Sequence, residues 1–330
     1  MTKFQKYSFA MGTDVVCRIL QIDPDVMLQE AGLSHLVSSR NELRITAQEY
    51  FAGWNTVDKL TGGADYLVDL GIMIARGPVI PVFFAFACAP NLETGVLRLS
   101  HYKTLLGPTV LRSYWKADEL CIEINSNDPS LAVPDTLAAL HFVVLVEQFR
   151  IAIGDQASPI SATLKATEAE RRKLESYLGI MPEFGEVASL SFEKSDAAQP
   201  FISENPVLWE SFEIDLQQQL SNERRKLPIK AHVRSVLISL MAPGRANMDD
   251  VCFEMNYSRS TLQRRLRDDG SSFRELLDET RHELAIRYLT NSELRVDEIG
   301  AMLGYRDANS FSRSFRKWKN QSPSDFRSSL

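Results

Sequence analysis

The last third of the chain contains two blocks in which apolar residues recur at helical spacing and polar residues fill the opposite face. The first block is residues 248–267 and the second is residues 296–319. Each block predicts two short helices joined by a tight turn, because a residue that tolerates positive φ separates the two periodic segments. Between the blocks, residues 272–289 predict one long amphipathic helix that starts with a capping box.

The first block has the residue types that a helix-turn-helix motif requires at each position. Cys252 is small enough for the place where the two helices cross, Asn256 suits the turn, and Ser258 supplies the N-cap oxygen of the second helix. The outward face of that second helix carries side chains that can contact DNA: Ser258, Ser260, Gln263, Arg264 and Arg267. Because arginine can bond guanine twice and glutamine can pair with adenine, Gln263 and Arg264 are predicted to contact bases. Arg267 has two alternative roles: it contacts a DNA phosphate, or it is only solvated.

The second block repeats this arrangement with a turn that is predicted to be one residue longer. Gly300 takes the crossing position, Gly304 the turn and Asp307 the N-cap. The outward side chains of its second helix are Asn309, Ser312, Arg313 and Arg316. Ser312 and Arg313 are predicted to contact bases, and the asparagine has the alternative role of capping its own helix. We expect the first block to dominate base recognition and the second to contact mainly the DNA backbone.

Either block alone is also consistent with an ordinary helical hairpin that has a solvated basic face. Two blocks in tandem, with matching crossing, turn and cap positions, favour a DNA-binding unit. The helix between them would be about 27 Å long at the rise of an α-helix. That length suits two recognition helices placed about one turn of DNA apart, each in a major groove on the same side of the duplex.

The amino-terminal two thirds of the chain mix helical and strand-like patterns. Helices are predicted over residues 23–34, 46–61, 65–76, 80–106, 137–153 and 167–178, and strands over 110–115, 120–125, 159–165 and 187–193. Helices come first and alternating strands and helices follow, with few signals of parallel pairing, which predicts an α+β domain. We therefore expect an α+β sensor domain over residues 1–216, a polar linker over 217–228, and an all-α DNA-binding domain over 229–330.

Charge is distributed unevenly along the chain. The net charge is −6, but residues 222–330 carry 20 Lys and Arg against 15 Asp and Glu, while residues 1–221 carry 17 against 28. A basic carboxyl-terminal part beside an acidic amino-terminal part is typical of a DNA-binding unit attached to a separate sensor. Many unrelated proteins show the same asymmetry, so charge supports the motifs without replacing them.

Other chemical patterns narrow the class of protein. The four scattered cysteines predict free thiols in a reducing cytoplasm, and the five histidines lack ligand spacing, so we predict no metal site and no cofactor. The most apolar stretch, residues 78–90, is too short and too rich in proline to span a bilayer, and no signal peptide is expected. Nucleophile-elbow, phosphate-loop and dinucleotide patterns are missing, which disfavours the alternative of an enzyme.

One cluster in the amino-terminal part mixes aromatic and cationic side chains. Its members are His101, Tyr102, Arg112, Tyr114 and Trp115. Such a mixture can line a pocket for an anionic small molecule, and these residues are our candidates for effector binding. The alternative is that they are strand residues that alternate between the core and solvent.

The carboxyl-terminal segment closely resembles the AraC/XylS family of bacterial transcription regulators. The resemblance is carried by SRSTLQRRLRDDGSSFRELLDETRHELAIRYL and VDEIGAMLGYRDANSFSRSFRKWKNQSPSDFR, and it covers residues 229–328. This chain departs from the family where Cys252 and Gly300 replace the usual alanine, where Arg295 replaces a serine cap, and where Tyr305 replaces phenylalanine. The arginine at the cap position predicts a helix that frays at its start.

The amino-terminal segment resembles the arabinose-binding-like sensor domain of a subgroup that includes ornithine-utilisation and virulence regulators. This second resemblance is carried by the segments LQEAGL, YLGI and PFISENPVLWESFEIDL. It implies effector binding and dimer formation by this domain, without identifying arabinose as the ligand. We therefore expect a cytoplasmic regulator that senses a small molecule, forms a homodimer, binds double-stranded promoter DNA and helps or hinders RNA polymerase. A constitutive DNA-binding factor, whose amino-terminal domain only dimerises, is the alternative.

Overall fold

The computed structural model describes residues 6–8, 13–37, 44–62, 66–77, 80–128, 130–154, 157–225, 228–241, 244–291, 294–305 and 307–329. The chain divides into two compact units, residues 1–223 and 224–330, each with its own hydrophobic core.

The first unit is an α+β domain built around a five-stranded sheet. Its helices are α1 (Thr13–Ile19), α2 (Pro24–Glu30), α3 (Ala47–Leu60), α4 (Leu67–Arg76), α5 (Pro81–Ala87), α6 (Leu92–Tyr102), α7 (Asp135–Ile153), α8 (Glu168–Leu178), α9 (Lys194–Ala197) and α10 (Pro206–Arg225). Its strands are β1 (Lys6–Ser8), β2 (Arg44–Thr46), β3 (Thr109–Lys116), β4 (Glu119–Ser126), β5 (Ser161–Leu164), β6 (Glu183–Phe184) and β7 (Ala188–Glu193). The large sheet has the order β3-β4-β7-β5-β6, and only the β5–β6 pair is parallel. Strands β1 and β2 form a separate antiparallel pair.

Helix α7 is the central element of this domain. It is long and apolar enough to cross a membrane by composition, but 72% of its apolar window is buried inside the domain. Phe142, Val146 and Phe149 are completely buried. The helix packs against helices α4, α5 and α8 and against strands β5 and β7 of the sheet. It is therefore the core helix on which the other elements of the domain assemble.

The predicted order of helices followed by strands and helices is confirmed, but one predicted helix is wrong and several elements were not predicted. The single helix predicted over residues 80–106 is wrong, because α5 ends at Ala87 and α6 begins at Leu92. Pro90 disfavours a helical conformation in the residue before it, and Asn91 then caps α6 by accepting a hydrogen bond from the Thr94 backbone N–H at 3.0 Å. The elements that were not predicted from the sequence are α1, the β1–β2 pair, β6, α9 and α10.

The segment expected to be a linker is helical over most of its length. Helix α10 continues to Arg225, since residues 217–225 contain good helix formers and neither glycine nor proline. The boundary between the compact units follows Glu223 and thus lies inside the expected linker. Residues 226 and 227 of that segment lie outside the described residues.

The second unit is built from helices. They are α11 (Ile229–Met241), α12 (Met248–Met255), α13 (Arg259–Asp268), α14 (Phe273–Asn291), α15 (Val296–Met302), α16 (Ala308–Lys319) and α17 (Pro323–Ser328). Helices α12 and α13 form one helix-turn-helix, and α15 and α16 form the other. The long helix α14, predicted over 272–289, packs against α11, α15, α16 and α17. Its N-cap backbone N–H at Ser272 donates to the Glu275 carboxylate at 2.8 Å, as the predicted capping box requires.

Candidate nucleic-acid interface and sensor cavity

The turn of the first helix-turn-helix has the expected backbone geometry. Asn256 adopts the left-handed conformation with φ 53° and ψ 45°, which ends α12 and redirects the chain. The Ser258 hydroxyl accepts a hydrogen bond from the Thr261 N–H at 3.2 Å and caps α13. Leu262 and Leu266 point into the core and are at most 1% exposed. The polar side of α13 is therefore fixed toward solvent.

The exposed side of α13 presents donors that no neighbouring group occupies. Among the described residues, Gln263, Arg264 and Arg267 make no hydrogen bond or ion pair, and all three are exposed. The other two arginines of this face are held by neighbours. Arg259 pairs with Asp249 at 2.6 Å, and Arg265 donates to the Tyr257 hydroxyl at 2.9 Å while stacking on its ring. The free donors are those named from the sequence, whereas the pairing of the other two required the fold.

The remaining two candidates on this face are serines near the start of α13. Ser258 and Ser260 are exposed, and their hydroxyl oxygens lie 3.0 Å apart. Because the first of these hydroxyls also caps the helix, it is positioned next to the backbone N–H groups at the helix start. Such a site suits a phosphate oxygen, which both backbone N–H groups and serine can bind.

The second helix-turn-helix repeats the geometry with a longer turn. Gly304 has φ +72°, and three positions later Asp307 accepts a hydrogen bond from the Ser310 N–H at 2.7 Å. In the first motif the corresponding separation, from Asn256 to its cap, is two positions. A Cβ added at Gly300 would lie 3.2 Å from the Phe311 Cβ, so the two helices cross where the sequence indicated.

The outward face of α16 differs from that of α13 in how its donors are held. Asn309, Arg313 and Arg316 are exposed, and Ser312 is half-buried. Arg313 donates to the Ser310 hydroxyl at 3.1 Å. Asp307 caps the helix, and the Asn309 amide has no side-chain partner in the described part of the chain. Its alternative role as a cap therefore has no support in the geometry.

Acidic side chains in the first turn of α15 stabilise the start of this helix. Arg295 offers no capping oxygen, but its backbone N–H donates to the Glu298 carboxylate at 2.7 Å. Its guanidinium also pairs with Asp297 at 2.9 Å. The acidic side chains of the first turn thus replace the missing serine at this helix start.

Arg281 on α14 holds the turn of the second motif and was missed in the sequence. Its guanidinium donates to the carbonyl oxygens of Leu303 at 3.0 Å and Gly304 at 3.2 Å. It also stacks on Tyr305, with 4.6 Å between the guanidinium carbon and the ring centre. These carbonyls end α15 and have no helical partner, so the arginine satisfies orphan acceptors. The only signal in the sequence is a cation on the inward side of the long helix.

The five effector candidates lie at the end of α6 and on β3. His101 is exposed and lies edge-on to Tyr102, whose buried hydroxyl accepts a hydrogen bond from Gln217 at 2.8 Å. Arg112 is half-buried on β3. Tyr114 and Trp115 lie near the exposed end of that strand and donate to Glu123 at 3.0 Å and Glu93 at 2.8 Å, respectively.

A cavity of about 100 Å³ lies elsewhere in the first unit, and none of those five residues lines it. Its walls come from α1, α3, α4, α5, α6, α7 and β3, and they are mainly aliphatic and aromatic. The polar groups that line it are Tyr50, Lys103, His141 and Gln148. Lys103 belongs to the short 3₁₀ turn that follows α6. Sequence periodicity gave no sign of the cavity, because its lining is drawn from residues 15 to 148.

Burial changes the pKa of each titratable group in the cavity. Burial lowers the pKa of Lys103 to about 8. Burial, and secondarily the nearby lysine charge, lower the pKa of His141 to about 3. Burial raises the pKa of Tyr50 to about 12. At neutral pH the lysine is therefore the cation of the cavity, and the histidine and tyrosine are uncharged.

Two family models match the chain. One is described as a helix-turn-helix domain and matches residues 251–329. The other is described as the arabinose-binding domain of AraC transcription regulators and matches residues 22–201. The chain belongs to the AraC family of transcription regulators, with an arabinose-binding-like amino-terminal domain. This confirms the family predicted from the motifs.

Related proteins match parts of the chain. An ornithine utilization regulator of Pseudomonas aeruginosa is 29% identical over 161 residues, which is 48% of this chain and 47% of that protein. The HTH-type transcriptional regulator VqsM of the same organism is 41% identical over 76 residues, 23% of each chain. The matched part of the chain spans about half or less of the length of these two relatives. The crystal structure of the transcriptional regulator CdpR from P. aeruginosa aligns over 96% of both chains, with a TM-score of 0.41 and 18% identity. The families and these relatives are transcription regulators.

Proposed function

We propose that this DNA-binding regulator responds to a small molecule bound in the cavity of its amino-terminal domain and acts on promoter DNA. The observation that carries the DNA part is the pair of exposed recognition helices, α13 and α16, on one compact unit. Free donors at Gln263 and Arg264 suit base edges in the major groove. Ser312 and Arg313 are proposed to contact bases from the second helix.

The remaining candidates are proposed to position the protein on the DNA. Ser258, Ser260 and Arg267 of the first motif, and Asn309 and Arg316 of the second, suit phosphate contacts. Such contacts orient the domain without selecting sequence. Since Arg313 shares its donors with Ser310, whereas Arg264 has none engaged among the described residues, we propose that the first motif dominates base recognition.

The proposed role of each domain follows the domain boundaries predicted from the sequence. Residues 1–216 sense the effector and dimerise, residues 217–228 connect, and residues 229–330 bind DNA. The apolar cavity with few polar groups supports the sensing role, because ligand sites in proteins have this composition. Contact with RNA polymerase and formation of a homodimer complete the proposal. All four cysteines are buried thiols that form no disulfide among the described residues, which supports action in the cytoplasm.

Selection of binding sequences from a random pool of duplexes tests the DNA part. We expect enrichment of one sequence, protected over two segments about one helical turn, ~34 Å, apart. The full chain carrying both Arg264→Ala and Arg313→Ala should lose this enrichment while keeping its circular dichroism spectrum. Failure of the wild-type chain to enrich any sequence would contradict the proposal.

A constitutive DNA-binding factor is separated from a sensor by thermal unfolding against a metabolite library. A ligand that binds only the folded domain raises the melting temperature in proportion to the logarithm of its concentration. We expect at least one such ligand for a sensor. A library without any stabilising compound would favour the constitutive factor. The cavity is the observation that argues against a constitutive factor.

A further inference from the structure

The sensor cavity contains a buried cation without a counter-charge. Lys103 is 7% exposed and lines the cavity. Its ammonium makes no hydrogen bond or ion pair with any described residue. Of the described residues that line the cavity, none is an aspartate or a glutamate. An ammonium that is withdrawn from water without a partner destabilises the domain, so its presence calls for an anion from outside the chain.

Two of the other three polar groups of the cavity, His141 and Gln148, are already engaged. The His141 ring bonds the Thr109 hydroxyl at 3.1 Å through Nε2 and the Leu137 carbonyl at 2.6 Å through Nδ1. Gln148 donates to the Ala75 carbonyl at 2.6 Å. The Tyr50 hydroxyl makes no hydrogen bond with the described residues, so it is a neutral donor beside the lysine, which is the charged donor left to face a ligand. Most of the remaining wall consists of leucine, isoleucine, valine and aromatic side chains.

We infer that the effector is a small monocarboxylate with an apolar body, its carboxylate paired with Lys103 and its body packed against the apolar walls. This inference rests on the proposed sensing function of the cavity. A sugar is disfavoured, because each buried hydroxyl needs a hydrogen-bond partner and the described walls offer few free polar groups besides Lys103 and Tyr50. A phosphate dianion is disfavoured because one lysine offsets only one charge and no arginine lines the described walls. The volume of about 100 Å³ is of the order of cavities that hold one small ring.

Ligand binding to the full chain tests the inference by calorimetry and thermal unfolding at pH 7. The probes are straight-chain monocarboxylates from butyrate to decanoate, benzoate, the alcohols of matching length, arabinose and inorganic phosphate. We expect at least one carboxylate to bind about tenfold or more tightly than its matched alcohol, since the alcohol lacks the ion pair. Arabinose and phosphate should leave the melting temperature unchanged.

The variant Lys103→Met identifies the lysine as the anchor. Methionine keeps the length and the apolar stem, so the variant should fold and bind the alcohols at least as well as wild type. It should lose the preference for carboxylates. The matched control is Lys59→Met, which removes an exposed lysine on α3 and should keep that preference.

The pH dependence supplies a second readout. A lysine with a pKa of about 8 is charged at pH 7 and mostly neutral at pH 9. Carboxylate affinity should therefore fall by about tenfold over this range, because the bound anion requires the protonated lysine. Tyr50 and His141 are the other titratable groups that line the cavity, and both stay uncharged in this window. Binding of the alcohols, and binding of any probe to Lys103→Met, should not show this decrease.

Equal carboxylate preference in Lys103→Met and wild type would overturn the inference, as would the failure of every carboxylate to bind. The two levels of the proposal then separate. If alcohols or arabinose stabilise the chain and carboxylates do not, the cavity senses a ligand of another class. If no probe stabilises the chain while selected DNA still binds, sensing by this cavity is wrong and DNA recognition stands.

Discussion

The arginines of α13 divide into those held by the protein and those available to DNA. Arg264 has no partner among the described residues, whereas its neighbour Arg265 bonds and stacks on Tyr257. Helical periodicity alone separates inward from outward positions, and it cannot show which outward donors are occupied. That distinction depends on Tyr257, which precedes the helix and becomes a neighbour only through the turn.

Arg264→Ala should therefore weaken binding to the selected DNA more than Arg265→Ala does. Loss of a bidentate guanine contact costs about 1–3 kcal/mol and relaxes selectivity at that base pair. Fluorescence anisotropy against the selected duplex and its single-base variants measures both effects. If the affinity fell equally for all of these duplexes, Arg264 would contact a phosphate rather than a base.

Asn256 gives a second prediction at the residue scale. Its φ of 53° is tolerated by asparagine and glycine but is unfavourable for a β-branched side chain. Asn256→Val should lower the free energy of unfolding by about 1–2 kcal/mol, whereas Asn256→Gly should change it by less. Urea unfolding of the full chain followed by far-ultraviolet circular dichroism compares the two. Equal stability of both variants would show that the turn does not require the left-handed conformation.

At the scale of elements, the local signals in the sequence were enough to place most helices and strands. Helix α7 and strands β3 and β4 have strong apolar patterns and neighbouring turn residues, and they were predicted to within about two residues. The break between α5 and α6 was missed because their apolar pattern continues up to Pro90. The β1–β2 pair joins segments far apart in the sequence, so no local pattern predicts it. The cavity was missed for the same reason.

The contact between Arg281 and the second turn is another product of tertiary packing, and it can be tested. Arg281→Met removes two hydrogen bonds to backbone carbonyls and the stacking on Tyr305. Each lost bond from a charged donor costs about 1.5–3 kcal/mol, so the second motif should unfold more easily. Hydrogen exchange should show faster exchange in α15 and α16 than in α12 and α13.

Arg274→Met is the matched control for this effect. Arg274 lies on the same helix, is exposed, and makes no bond among the described residues. Its replacement should leave exchange in α15 and α16 unchanged. Similar exchange in both variants would indicate that packing of Phe311 and Phe315, rather than the arginine, holds the second motif.

At the scale of the whole molecule, the question is which element carries a signal out of the sensor domain. Helix α10 is the element that passes the boundary between the compact units, because it continues from the first unit to Arg225. Within the first unit, α10 contacts the end of α6 through two residues. Trp209 lies under the Arg98 guanidinium at 4.2 Å, and Gln217 donates to the Tyr102 hydroxyl at 2.8 Å. Tyr102 directly precedes Lys103 in the chain.

A ligand that pairs with the lysine therefore acts one residue away from a hydrogen bond to α10. We predict that Gln217→Ala keeps carboxylate affinity within about twofold, since the amide does not line the cavity, but reduces the effect of the ligand on DNA affinity. The measurement compares anisotropy titrations of the selected duplex with and without saturating ligand, in wild type and variant.

The control is Gln218→Ala, an exposed neighbour on α10, which should respond as wild type does. An unchanged response in Gln217→Ala would exclude this hydrogen bond as part of the coupling. A loss of ligand binding itself would instead show that Tyr102 and Gln217 shape the cavity.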